Sequence, residues 1–231
     1  MKKLWYSIKP IVYAYTIQYI SILISLIIYV MINNNKDILN NIDTIYKFAI
    51  IGVTLTLIPI SIYLYQKYKI KEPQIELKKI LPMIPLGLSI SLFYNMLTIN
   101  LQPDKLIIDI NIIILILYMV ILGPIFEELI FRYVALRKAK EQYSEKKAII
   151  IISLVFALMH TGIINIIYAF LIGIILSIIY AKYKNILYPI VIHISANLMS
   201  IFITKFNLLA LILSTICLTL TCIYLKKINH S

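Results

Sequence analysis

Charge is scarce in this sequence. Only 14% of its 231 residues are charged, and they sit in short clusters between long apolar stretches. With 61% hydrophobic residues and a mean hydropathy of +0.93, the chain has too little polar surface for a soluble globule of this length and reads as a polytopic membrane protein. Glycine (5) and proline (8) are too few for a low-complexity chain. Cysteine is limited to Cys217 and Cys222, both in the last apolar stretch and without metal-type spacing to a histidine; they read as small apolar helix residues. No basic domain is present, so the net charge of +12 excludes nothing and implies no nucleic acid: the lysines and arginines fall in short loops at helix ends. No internal repeat, linker or second domain is visible, and residues 1–231 read as a single transmembrane domain.

Certain catalytic signatures are also missing. There is no His-Glu-x-x-His segment, which argues against a zincin site, and no Gly-x-Ser-x-Gly segment. An Asp pair on facing helices is lacking too, so serine-type and aspartyl-type intramembrane hydrolysis have no support. The start, Met1-Lys2-Lys3, resembles a signal peptide. The apolar run 11–32 exceeds the usual h-region, however, and no small-x-small site follows, so the segment is expected to be a retained first helix.

Eight apolar stretches are expected to be helical: 11–32, 45–66, 81–99, 106–136, 147–161, 163–181, 186–203 and 206–225. The fold class is therefore all-α, a polytopic bundle of about eight transmembrane helices. Basic residues crowd alternate connections: Lys2, Lys3 and Lys9; Lys67 to Lys79; Arg137 to Lys147; Lys182 and Lys184; Lys226 and Lys227. The intervening ones hold Lys36, Lys105 and Lys205. This asymmetry places both termini in the cytoplasm. The abundance of Ile, Asn, Lys and Tyr fits an AT-rich microbial genome and hence a prokaryotic cell membrane.

Ionisable groups at membrane depth are costly, and each is a functional candidate. The first set is Gly123-Pro124-Ile125-Phe126-Glu127-Glu128, followed by Arg132. Pro124 suits the first turn of a new helix. Glu128 and Arg132, spaced i, i+4, can pair on one face, while Glu127 points about 100° away. A carboxylate poised between desolvation and a nearby arginine can serve as a general base; a structural ion pair near the interface is the plainer alternative. The second set is Phe156 to His160, sharing a helix face; a histidine favoured by a helix C-terminus explains it equally. The third is His193 and Asn197, again i, i+4, where interhelical hydrogen-bonding glue is the alternative. Asn95, Asn100, Asp109, Asn111 and His230 read as loop, helix-end or tail residues. Together, a carboxylate, two imidazoles and an amide are the parts needed to activate water and bind an oxyanion.

The pattern Glu127-Glu128-x-x-x-Arg132, Phe156-x-x-x-His160, His193-x-x-x-Asn197 resembles the three motifs of the CPBP family, which comprises the CAAX prenyl endopeptidases and the Abi-type bacteriocin-processing or self-immunity proteins. The resemblance runs over roughly 81–203, and residues 1–80 share only their transmembrane character. It implies an intramembrane peptidase acting on a peptide or protein substrate, lipidated in the CAAX case, within a membrane lipid environment. Glu127 would activate a water, His160 would hold it or shuttle its proton, and His193 and Asn197 would stabilise the oxyanion. Glu128 and Arg132 would support Glu127 electrostatically. The family has been described both as metal-free glutamate peptidases and as metallopeptidases. Under the second description Glu127, His160 and His193 would bind one divalent metal, zinc being chemically suitable; the sequence is compatible with either.

Straight helices do not place these residues at one depth. Glu127 falls late in a long helix, His193 about 10 Å and His160 about 20 Å into theirs. A common site requires the break at Gly123-Pro124, tilted helices or shifted boundaries, and a water-filled cavity open to the cytoplasm. The competing functions are a non-catalytic immunity or scaffold protein of the same fold and a transporter with a proton relay. The first three stretches hold few polar residues, which counts against the transporter.

Overall fold

The computed structural model describes residues 2–32, 42–101, 112–203 and 205–228. Asp109, Asn111, His230 and the expected beginning of the fourth stretch at 106–111 lie outside these residues. Every regular element among the described residues is helical, in the order α1 (Lys2–Ile32), α2 (Ile42–Lys67), α3 (Leu77–Ile80), α4 (Met83–Thr98), α5 (Ile112–Leu115), α6 (Gly123–Glu128), α7 (Arg137–Gln142), α8 (Glu145–Ala157), α9 (Ile163–Tyr183), α10 (Leu187–Phe202) and α11 (Leu208–Ile228). Two π-helical stretches, Ile116–Leu122 and Leu129–Leu136, join α5, α6 and α7 into one helix.

Among the described residues, six helices are long and apolar enough to cross a membrane: Lys2–Ile32, Thr44–Lys67, Leu77–Leu101, Ile113–Gln142, Ile163–Tyr183 and Leu208–Lys227. The protein is an integral membrane protein. Two of the eight expected stretches form shorter helices, α8 with 13 residues and α10 with 16. At 1.5 Å per residue they fall short of a hydrocarbon core of about 30 Å. These are the helices associated with the two histidine motifs. The first helix begins at Lys2, with Pro10 inside it, rather than at residue 11. Hydropathy marks the edge of the apolar run, whereas the helix continues through Lys3 and Lys9 beyond it.

The chain divides into two compact units, Met1–Lys69 with Leu106–Ala135, and Ile70–Lys105 with Leu136–Ser231. In the first, α1 and α2 meet through small residues. The Ser21 hydroxyl donates to the Gly52 carbonyl at 2.6 Å, and a side chain at Gly52 would collide with Ser25. Close approach of this kind replaces the hydrophobic drive that helices lack inside lipid. Aromatic contacts fix the motif-bearing helix: Tyr15 of α1 meets the edges of Phe126 and Phe131 at 5.7 and 6.2 Å between ring centroids, and Tyr65 of α2 stacks on Tyr133 at 5.6 Å.

In the second unit α4 packs on α10 so closely that a Cβ at Gly87 would fall on the Ile192 carbonyl. The α8 and α9 helices meet at Ser153 and Ser177, both buried, with hydroxyls 3.4 Å apart. The segment before α3 is tied to the start of α10. Asn185 donates its side-chain N–H to the Pro73 carbonyl at 2.9 Å, the Ile186 N–H donates to the Glu72 carboxylate at 3.2 Å, and the Glu76 N–H donates to the Tyr188 hydroxyl oxygen at 3.2 Å. These bonds satisfy backbone groups of a stretch that has no helix of its own.

Candidate active-site residues

Glu127 and Glu128 end α6, with a π-helical stretch on either side. Pro124 explains the first. It has no N–H, and its ring would press on the carbonyl four residues back in a regular α-helix. The preceding turn widens instead, the Gly123 N–H bonding to the carbonyl of Tyr118, five residues earlier. Pro124 therefore stands in the first turn of an α-helical segment, as its sequence context implied, but the helix does not stop before it. π-Turns of this kind re-aim side chains and recur at functional sites.

The Arg132 guanidinium donates to the Glu128 carboxylate at 2.8 Å, and both side chains are fully buried. This is the i, i+4 pair expected from the sequence. Burial removes the water that would screen each charge, so the pair is self-consistent only as a pair. Glu127 is half-buried, and its charge is felt by the Arg132 guanidinium and by the neutral phenols of Tyr15 and Tyr118. Tyr15 was not a sequence candidate. It lies more than a hundred positions from Glu127, in an apolar helix of a chain with 18 tyrosines, and no local signal separates it from the rest.

The second unit holds the remaining motif residues. α8 ends at Ala157, so His160 stands in the turn beyond the helix rather than within it. The closing bonds run three residues back, from His160 N–H to the Ala157 carbonyl at 3.0 Å and from Met159 N–H to Phe156 at 3.2 Å. Gly162 then takes φ +81° and turns the chain into α9, a conformation that suits glycine because it has no Cβ. The imidazole folds back, with Nδ1 3.0 Å from the Phe156 carbonyl. A carbonyl only accepts, so Nδ1 carries the hydrogen and the neutral ring keeps its lone pair on Nε2. His160 thereby caps one of the last carbonyls of α8.

His193 is buried in α10, and Asn197, half-exposed, lies one turn further along the same face. Phe156 joins the two histidine motifs: its ring meets that of His160 at 4.8 Å and 69°, and that of His193 at 6.0 Å and 86°. Both imidazoles thus sit in edge-type contact with one fully buried aromatic wall. Within the described residues of either unit, no three His, Cys, Asp or Glu side chains form a metal-ligand group.

Comparison with known proteins bears on all three motifs at once. No curated protein matched the chain, and neither did any solved structure. Residues 109–199, however, match the family model of type II CAAX prenyl endopeptidase Rce1-like proteins. The matched segment contains Glu127, Glu128, Arg132, His160, His193 and Asn197, and it agrees with the CPBP resemblance drawn from those residues. The stretch that holds every candidate residue is therefore similar to the Rce1-like CAAX prenyl endopeptidases.

Proposed function

We propose that the protein is an intramembrane endopeptidase of the CAAX-protease type, hydrolysing a peptide bond near or within the bilayer with a water activated by Glu127. The observation that carries this reading is the buried Glu128–Arg132 pair beside Glu127, in a segment that matches a peptidase family. Arg132 donates to Glu128 and its charge also reaches Glu127, so the neighbouring carboxylate is held beside a fixed positive charge and is suited to proton transfer. His160, with its lone pair on Nε2, takes or returns the proton of the attacking water. His193 and Asn197, on one face of α10, donate to the oxygen of the tetrahedral intermediate, where charge develops. Asn197 cannot lose its proton and is suited to that role alone.

The metal-assisted form of the same reaction draws on Glu127, His160 and His193, a donor set of one carboxylate and two imidazoles compatible with zinc. The metal would lower the pKa of the bound water. The substrate is a peptide or membrane protein. Peptide or bacteriocin maturation, or self-immunity, is the role suited to a prokaryotic membrane, with both termini in the cytoplasm as the lysine distribution indicates.

Incubating the wild type and Glu127→Ala with a membrane-peptide library, with and without a chelator, tests this. Cleavage by the wild type alone supports the mechanism, and chelator sensitivity identifies the metal form. Equal cleavage by both proteins removes Glu127 as the base.

A further inference from the structure

A cleft of about 480 Å³ opens in the second unit between α4, α9 and α11, and none of the candidate residues lines it. Its walls are aliphatic: Leu86 and Ile90 from α4, Ile175 and Ile179 from α9, and Leu218 from α11. Lys182 and Lys226, both exposed, belong to the last turns of α9 and α11 and close one end. The sequences of α4, α9 and α11 contain no Asp or Glu. The acidic residue closest before α4, Glu76, is engaged by Lys78 at 3.5 Å and by Lys79. A lysine at one helix end answers the helix dipole; two lysines from separate helices at the mouth of one apolar cleft, with no carboxylate in its walls, do more than that.

We propose that this cleft binds one anionic phospholipid of the surrounding bilayer, its phosphate between Lys182 and Lys226 and an acyl chain along Leu86, Ile175 and Leu218. Lysines near a lipid surface attract an anionic headgroup, and the aliphatic walls give the chain a dry surface. The proposal is independent of the peptidase reading.

Cys222 lines the cleft one turn before Lys226 and is exposed, so it reports occupancy directly. In a Cys217→Ser background it is the sole thiol of the chain. Maleimide labelling is followed in detergent with added phosphatidylglycerol, phosphatidylcholine or inorganic phosphate. Phosphatidylglycerol is expected to slow labelling about tenfold, the other two much less. Lys182→Gln with Lys226→Gln should abolish that protection, and Lys182→Arg with Lys226→Arg should keep it. Equal protection by phosphatidylcholine or inorganic phosphate, or protection that survives the glutamine pair, overturns the proposal. So does loss of protection in the arginine pair while its helical circular dichroism is unchanged. Native mass spectrometry gives a second reading: the glutamine pair should carry one fewer bound phosphatidylglycerol, and an unchanged number contradicts the site.

Discussion

The Nδ1–H of His160 donates to the carbonyl of Phe156, the residue whose ring its own imidazole abuts. One residue thus fixes both the tautomer and the tilt of the ring. This arrangement is the second-layer support that histidines need when they act through Nε2 as proton carriers or metal ligands. It predicts that His160→Ala lowers peptidase activity by about 10²-fold or more with helix content unchanged, measured as kcat on any cleaved peptide beside circular dichroism. A nitrogen-15 spectrum of the neutral imidazole should show the Nδ1–H tautomer.

The buried Glu128–Arg132 pair predicts asymmetric costs. Arg132→Met strands a carboxylate, and Glu128→Leu strands a guanidinium; each should destabilise by about 3–5 kcal/mol. The double substitution should recover most of this loss, because two apolar side chains need no partner. Unfolding of all four proteins in a denaturing detergent series gives the coupling.

Close helix contacts predict where a methyl group is not tolerated. Gly87→Ala sets its Cβ against the Ile192 carbonyl of α10, a backbone atom that cannot rotate aside. A loss of about 1–3 kcal/mol is expected, seen as a lower thermal midpoint.

Stability should depend on pH through Glu72, which lies outside the membrane spans. Burial raises its pKa above the ordinary carboxylate value, with the Ile186 N–H and the Arg137 charge opposing. The folded state therefore holds this proton more tightly than the unfolded state. Stability falls as pH rises from the ordinary value through the raised one, and the penalty is complete above both. Glu72→Gln should remove that part of the slope and stabilise the protein at neutral pH while still accepting from Ile186. Glu76 works the other way: its hydrogen bond with Lys79 lowers its pKa, and its contribution is lost as pH falls through the lowered value. Thermal midpoints between acid and neutral pH check both signs.

Much of this was legible in the sequence because hydropathy and i, i+4 spacing are local. The helices follow the apolar runs, and the Glu128–Arg132 pair forms as its spacing requires. His193 and Asn197 share a face because α10 is regular throughout. What escaped depends on hydrogen-bond ladders and distant contacts. The π-helical stretches around Glu127 arise from where the missing Pro124 N–H is absorbed, which hydropathy does not encode. His160 leaves the helix because the last turn tightens to three-residue bonds before Gly162. The roles of Tyr15 against Phe126 and of Phe156 between two histidines are tertiary, and residue type alone does not announce them.

The central claim is that Glu127, and not its paired neighbour, carries the chemistry. The most direct measurement compares Glu127→Gln and Glu128→Gln for kcat on one peptide cleaved by the wild type, with unfolding followed in parallel. Glu127→Gln should lose about 10²–10⁴-fold in kcat with stability preserved, whereas Glu128→Gln should lose stability and keep a larger share of its turnover. Normal turnover in Glu127→Gln would contradict the account.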